Sequence, residues 1–232
     1  MNLFSEALAW FFDPVNWSGS GSIPARTAEH LGLTVVAVLG AALVALPAGA
    51  VIGHTRRGAA LVGGLAGAAR ALPTLGLLTL LALALGIGIG APLIALIILA
   101  IPSLFAGAYS GVQAIEPAVP DAAAAIGMTP GQVLVRAELP LALPVIIGGV
   151  RAATLQVVST ATLAAYVADV GLGRYLFAGL KTRDYPQMLA AALLVVALTL
   201  AIDLLLGAAQ RAASRRANHT ALVHANREAA RS

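Results

Sequence analysis

The residues of this chain that could do chemistry are few, and most of them stand alone. It has no cysteine, which removes disulfides, thiol nucleophiles and thiolate metal sites. The four histidines are His30, His54, His219 and His224. None shares a helical face with a second metal-type ligand inside an apolar run, so they read as loop or tail histidines, and neither a metal nor a cofactor is expected. No apolar run presents two carboxylates, or a carboxylate and a histidine, on one face, so an enzyme's acid–base pair has no place. The lone lysine, Lys181, follows Leu180, so there is no Gly-Lys-Ser/Thr phosphate loop. What the chain does carry is a polar stretch of ordered pattern, Asp121 to Pro140, DAAAAIGMTPGQVLVRAELP.

That stretch reads as two short helices with an elbow. Pro120 and Asp121 suit a helix start, because proline is tolerated in the first turn and an acid complements the helix dipole. Ala122 to Ala125 are strong helix formers, and Gly127 is a C-terminal stop. Thr129-Pro130-Gly131-Gln132 has the form of a capping box, with Thr129 capping, Pro130 first in the helix and Gln132 reaching back. Leu139-Pro140 is expected to close the second helix. A loop folded this carefully between apolar runs is a docking element, a compact knob.

The elements that hold the knob are membrane spans. Of 232 residues, 59% are hydrophobic and 10% charged, with mean hydropathy +0.91; soluble domains carry about 25% charged residues. A net charge of +4 is therefore no nucleic-acid signal in this chain. The spacing predicts five crossings: about 31–53, 71–87 (part of a run 59–90 that Arg70 and Pro73 interrupt, with 59–69 as an entry segment), 92–109, 141–167 and 186–206. At 1.5 Å per residue the first is long enough to cross a ~30 Å core, and 71–87 reads as most of a crossing. Gly63 and Gly67 form a small-xxx-small pair that permits close helix approach. A glycine-bearing polar stretch occupies 169–185.

Charge sets the orientation. One group of alternate loops holds Arg56, Arg57, Arg136, Arg211, Arg215, Arg216, Arg227 and Arg231. The other holds only Arg26, Arg174, Lys181 and Arg183. The positive-inside rule then places the knob and the C-terminus in the cytoplasm and the N-terminus outside. Residues 1–30 read as an external interfacial segment, with Leu3, Phe4, Ala7, Leu8 and Phe11 at helical spacing beside Trp10 and Trp17. No basic region precedes them, so no cleavable signal peptide is expected. Residues 31–207 form the transmembrane domain, including a coupling loop at about 112–140, and 208–232 form a loose basic tail.

The knob resembles the cytoplasmic motif of ABC importer permeases: Glu-Ala-Ala, three residues, Gly, nine residues, Ile-x-Leu-Pro. Here Asp121-Ala122-Ala123, Gly127 and Leu139-Pro140 stand at those spacings. Asp121 stands in place of the glutamate and Ala137 in place of the isoleucine. Within that family the chain looks similar to osmoprotectant permeases, through Arg70-Ala71-Leu72-Pro73-Thr74-Leu75, Gly107-Ala108-Tyr109-Ser110-Gly111, Gly149-Val150-Arg151-Ala152-Ala153, Ala161-Thr162-Leu163-Ala164-Ala165-Tyr166 and Gly171-Leu172-Gly173. The resemblance covers about residues 34–206. It implies an all-α polytopic membrane protein with the type I importer permease (MetI-like) fold in the plasma membrane. It also implies two paired permeases, identical or paralogous, a separate ABC ATPase that seats the knob, and an external binding protein that delivers a compatible solute such as glycine betaine, choline, carnitine or proline.

Six residues are candidates for the pathway or its gates. Arg70 and Arg151 lie in or near the membrane, where a charge must be paired or wet, or must snorkel to the headgroups; Asp203 could pair with either. Tyr109 and Tyr166 could meet a quaternary ammonium by cation–π attraction, or simply pack. Gly171 and Gly173 shape an external turn, as a gate hinge or as a plain turn. Two rivals stand beside the compatible-solute reading: an ABC permease for another small solute such as an amino acid, and an ATP-independent carrier or channel. An inverted internal repeat would favour the carrier, and none is visible.

Overall fold

A backbone away from water must satisfy its polar groups internally, and the alanine and leucine that fill this chain favour doing so as helix. In the computed structural model, which describes residues 2–58, 60, 63–64, 67 and 71–229 (side chains to 215), every regular element among the described residues is helical. These are α1 (Leu3–Phe12), a 3-10 turn (Pro14–Trp17), α2 (Ile23–Thr55), α3 (Thr74–Leu85), α4 (Gly90–Gln113), α5 (Ala118–Ala125), α6 (Pro130–Val133), a π turn (Leu134–Glu138), α7 (Leu139–Thr160), a second 3-10 turn (Ala161–Tyr166), α8 (Gly173–Thr182) and α9 (Tyr185–Ala229).

Four of these stretches are long and apolar enough to cross a membrane: Ile23–Thr55, Gly90–Gln113, Pro130–Tyr166 and Tyr185–Arg215. The crossing expected at 71–87 appears as α3, whose 12 residues span only ~18 Å. Arg70 and most of 59–69 lie outside the described residues. One expectation is corrected and another gains detail. The tail thought loose from Gln210 instead continues α9 to Ala229, with no helix breaker in its sequence. The polar stretch 169–185 contains a helix, α8, stopped by Arg183 in the left-handed region at φ 61°.

The described chain forms two compact units. One comprises Met1–Ala41, Ala68–Ala100 and Ala153–Ile202. Its apolar core gathers Ile23, Leu172, Tyr175, Ala191 and Val195, with Trp10 and Phe11 packed against it. α1 is capped by Asn2, whose side chain accepts from the Ser5 N–H at 2.8 Å, and its Trp10 meets the Tyr175 ring edge-on at 5.1 Å. The Tyr175 hydroxyl donates to the Gly21 carbonyl at 2.5 Å. Burial pushes this phenol above its ordinary range, so it stays the protonated donor.

The other unit comprises Ala42–Gly67, Ile101–Ala152 and Asp203–Ser232. It is held by glycines at helix crossings. A Cβ on Gly49 would stand 2.6 Å from the Phe105 carbonyl oxygen, and one on Gly53 would stand 2.9 Å from that of Tyr109, so α2 lies directly on the α4 backbone. Gly107 and Gly149 meet in the same way: a Cβ on Gly107 would lie 2.6 Å from the Gly149 Cα. The sequence carries both signals, Gly49-x-x-x-Gly53 and Gly107-x-x-x-Gly111. The pair named from sequence, Gly63 and Gly67, makes no close approach to the described residues, where added Cβ atoms would meet nothing within 4 Å.

Candidate functional site

The knob is built by backbone capping. α5 begins at Ala118, with Asp121 in its first turn. It ends in a Schellman motif: Gly127 at φ +88° donates its N–H to the Ala124 carbonyl (2.9 Å), and the Met128 N–H reaches the Ala123 carbonyl (3.2 Å). The capping box at Thr129 is present in both directions. The Gln132 N–H donates to Thr129 Oγ1 at 3.4 Å, and the Thr129 N–H donates to Gln132 Oε1 at 2.9 Å.

The second half of the knob departs from expectation. Leu139-Pro140 does not close a helix. α6 passes into a π turn in which the Leu139 N–H bonds back to Leu134, and α7 then continues to Thr160. A proline lacks the N–H that an α-helix would use and crowds the preceding turn. A wider turn just before it relieves that conflict, so the chain runs from knob to span without a stop. Ala137, the position that departs from the family motif, is half-buried there.

Of the predicted coupling residues, Ala123 is buried, Leu139 is half-buried, and Asp121, Ala122, Gly127 and Pro140 are exposed. Val133 and Glu138 turn inward at 3% and 1% exposure, while Ile126 and Val135 stand out at 77% and 60%. The last two are large apolar side chains open to solvent in an otherwise small or polar loop. Neither Ile126 nor Val135 was singled out from sequence, although both interrupt otherwise small or polar runs.

Sequence reasoning also missed the knob's deepest polar contact. Buried Glu138 accepts a hydrogen bond at Oε2 from His54 Nδ1 at 2.5 Å. His54 therefore is no free loop histidine but part of the last turn of α2. His30 is likewise inside α2 and 1% exposed, with Nε2 at 2.8 Å from the Val158 carbonyl. A sequence pairs residues only within one element, and these contacts span 84 and 128 residues. His219 and His224 lie where side chains are outside the described residues.

The pathway candidates fall in different surroundings. Tyr109 is 5% exposed, with its hydroxyl buried and unpartnered, on the stretch of α4 that Gly53 packs against. Tyr166 is 59% exposed and leans on Phe177 at 5.7 Å. Gly171, at φ +72°, donates its N–H to Glu29 Oε2 at 2.9 Å and rests against the His30 ring. Gly173 touches the Thr162 carbonyl so closely that any Cβ would collide with it. Beside Gly171, Arg26 bridges Glu29 (2.9 Å) and Asp169 (3.0 Å). Arg151 is paired with Asp203, and Gln210 joins them by accepting from Arg151 at 3.4 Å and donating to the Pro144 carbonyl at 3.3 Å. Beside Gln210 lies an open pocket of about 520 Å³, lined with Gly107, Ser110, Gly148, Gly149 and Ser214. Among the described residues no three His, Asp or Glu side chains gather as metal ligands would.

The chain is thus a helical one with four stretches long and apolar enough to cross a membrane and a capped polar knob. The model of the family described as binding-protein-dependent transport system inner membrane component matches residues 30–219. The chain belongs to that family, and it is a multi-pass membrane transport component rather than an enzyme. Among its relatives, the choline transport system permease protein OpuBB of Bacillus subtilis (strain 168) is 31% identical over 194 residues, 84% of this chain and 89% of that one. The glycine betaine/carnitine/choline transport system permease protein OpuCB of the same organism is 29% identical over the same shares. Among solved structures, an inward-facing form of the MetNI methionine ABC transporter matches with TM-score 0.72 over 87% of this chain and 98% of that one, at 22% identity. That last likeness is one of fold.

Proposed function

We propose that this chain is the permease of an ABC importer for a compatible solute, and that the knob from Asp121 to Pro140 seats in a separate ATPase. In this reading the knob lies in the cytoplasm, the N-terminus is outside, and the membrane is the plasma membrane. A second permease, identical or paralogous, completes the pathway, and an external binding protein delivers glycine betaine, choline, carnitine or proline. The observation that carries the docking role is the knob itself. Two caps fix its shape, Ile126 and Val135 stand exposed on it among small and polar residues, and its backbone runs unbroken into a membrane span. A docked ATPase that moved the knob would move that span with it.

The solute class rests on relatives whose names carry choline, carnitine and glycine betaine at about 30% identity over most of the chain. Structures of a methionine and an amino acid transporter share the fold at 22% and 20% identity, which argues nothing about solute. Tyr166, the exposed aromatic of the two candidates, is the one available to a quaternary ammonium. The test is uptake of radiolabelled betaine, choline, carnitine and proline into vesicles holding the complex recovered through a tag on this chain. ATP-dependent accumulation of at least one is expected. A complex that recovers an ATPase yet accumulates only a different solute, such as methionine, would sink the solute reading and leave the permease reading standing.

A further inference from the structure

The knob hangs between two roots, and both are tied to the same short segment. On the incoming side, after α4, the Ile115 carbonyl accepts a hydrogen bond from Arg56 Nη2 at 2.7 Å. On the outgoing side, in the π turn before α7, Glu138 accepts from His54 at 2.5 Å. His54 and Arg56 are two residues apart at the end of α2. Arg56 sits in the left-handed region at φ 55°, a conformation that a non-glycine residue keeps only when its surroundings hold it there. Between the two polar ties lies an apolar cluster of Ala50, Val112, Ile115 and Ala142, flanked by Val119, Leu134 and Leu139. Ala50 stands one helical turn before His54, and Leu134 one turn before Glu138. The end of α2 and both roots of the knob thus share one dry core.

We infer that His54 and Arg56 are positioning residues that carry displacement of the knob into α2, so that the ATPase moves two spans through this loop, one by backbone continuity and one by this bracket. The inference rests on the knob being the ATPase docking element. Glu138 is 1% exposed, and a carboxylate that deep is kept only with a partner. Apolar residues of similar size would pack as well there, but would not fix the register of one element on another as a directional bond does. That difference separates a link from a filler.

The experiment uses the complex recovered through a tag on this chain, reconstituted with its ATPase and binding protein, and radiolabelled glycine betaine. Two quantities are read: ATPase recovered per permease, and solute moved per ATP hydrolysed. The paired substitution His54→Leu with Glu138→Met should keep ATPase recovery and lower solute per ATP about tenfold, a loss worth ~1.4 kcal/mol of coupling. His54→Asn, whose side-chain N–H stands where Nδ1 does and still reaches Glu138, should stay within about twofold of wild type. Arg56→Ala lies at an exposed position, asks nothing of the core and should lower solute per ATP at least threefold. Wild-type coupling in the Leu/Met pair overturns the inference, as does loss of ATPase recovery, which would make the pair part of the docking surface. If that pair fails to reach the membrane, unchanged coupling in Arg56→Ala overturns it instead. A wild-type complex that yields no ATPase overturns the docking reading itself, and this outcome is distinct from all the others.

Discussion

Arg151 and Asp203 face each other with both oxygens and two nitrogens engaged, Nε to Oδ1 at 2.7 Å and Nη2 to Oδ2 at 2.8 Å. The pair joins α7 to α9 inside stretches that read as spans, so each charge is the other's substitute for water. A lysine cannot reproduce the two-point grip. Arg151→Lys and Asp203→Asn should each lower the melting temperature in detergent by a few degrees, with Asp203→Asn the larger because it leaves the guanidinium uncompensated. Removing both charges as Arg151→Leu with Asp203→Leu should recover most of that loss. If the double variant melts below both singles, the pair is not what ties the two helices.

Gly127 tests conformation apart from space. Its φ of +88° disfavours any side chain, although a Cβ there would meet nothing within 4 Å. Gly127→Ala should cost ~1–2 kcal/mol locally. Gly127→Asn should cost less, since asparagine visits the left-handed region. ATPase recovery should follow the order Gly, Asn, Ala, and Gly127→Arg should abolish transport while membrane insertion stays normal. Unchanged uptake in Gly127→Arg would remove the knob from the mechanism.

The helix crossings should be intolerant of any added carbon. Gly49→Val and Gly107→Val place a branched side chain where a backbone already stands within 2.6 Å, and overpacking of this kind costs ~1–3 kcal/mol or more. Gly63→Ala, facing open space, should change the stability of the chain in detergent little. Comparable yields of folded protein from all three would refute the close-packing account.

Tyr175 carries a pH signature of definite sign. Its pKa in the folded chain is raised, so the folded state holds this proton more tightly than the unfolded one. Its contribution to stability is therefore whole below the ordinary phenol range near ~10 and is lost as pH climbs through the raised value. Tyr175→Phe should cost about 1 kcal/mol at neutral pH and should flatten the alkaline fall in melting temperature. A variant that falls as steeply as wild type would assign the alkaline loss elsewhere.

The knob was the most legible part of the chain because its instructions are local. A cap, a stop and an elbow each act over three or four residues, so Gly127, Thr129 and Gln132 could be read in place. What failed was equally physical. Leu139-Pro140 reads as a stop because proline ends α-helices, and only the π turn before it, stabilised by its surroundings, lets the helix proceed. His54, Glu138 and Gly49 take their meaning from partners dozens of residues away, and single-chain periodicity holds no such information. Gly63 and Gly67 show the converse among the described residues: a motif that permits close approach does not compel it. Asp203 was legible as a partner for Arg151 because a membrane charge demands one, and few acids were available.

The continuous backbone from Pro130 to Tyr166 turns the length of the polar break into an angle. Each residue of helix turns the chain by about 100°. One residue added or removed between Gln132 and Leu139 would therefore leave α5, its glycine stop and the Thr129 cap in place but point the whole face of α7 elsewhere, carrying Arg151 away from Asp203. The π turn already holds the surplus residue that sets this phase. The spacing from Gly127 to Leu139-Pro140 is thus a setting of direction as much as of distance.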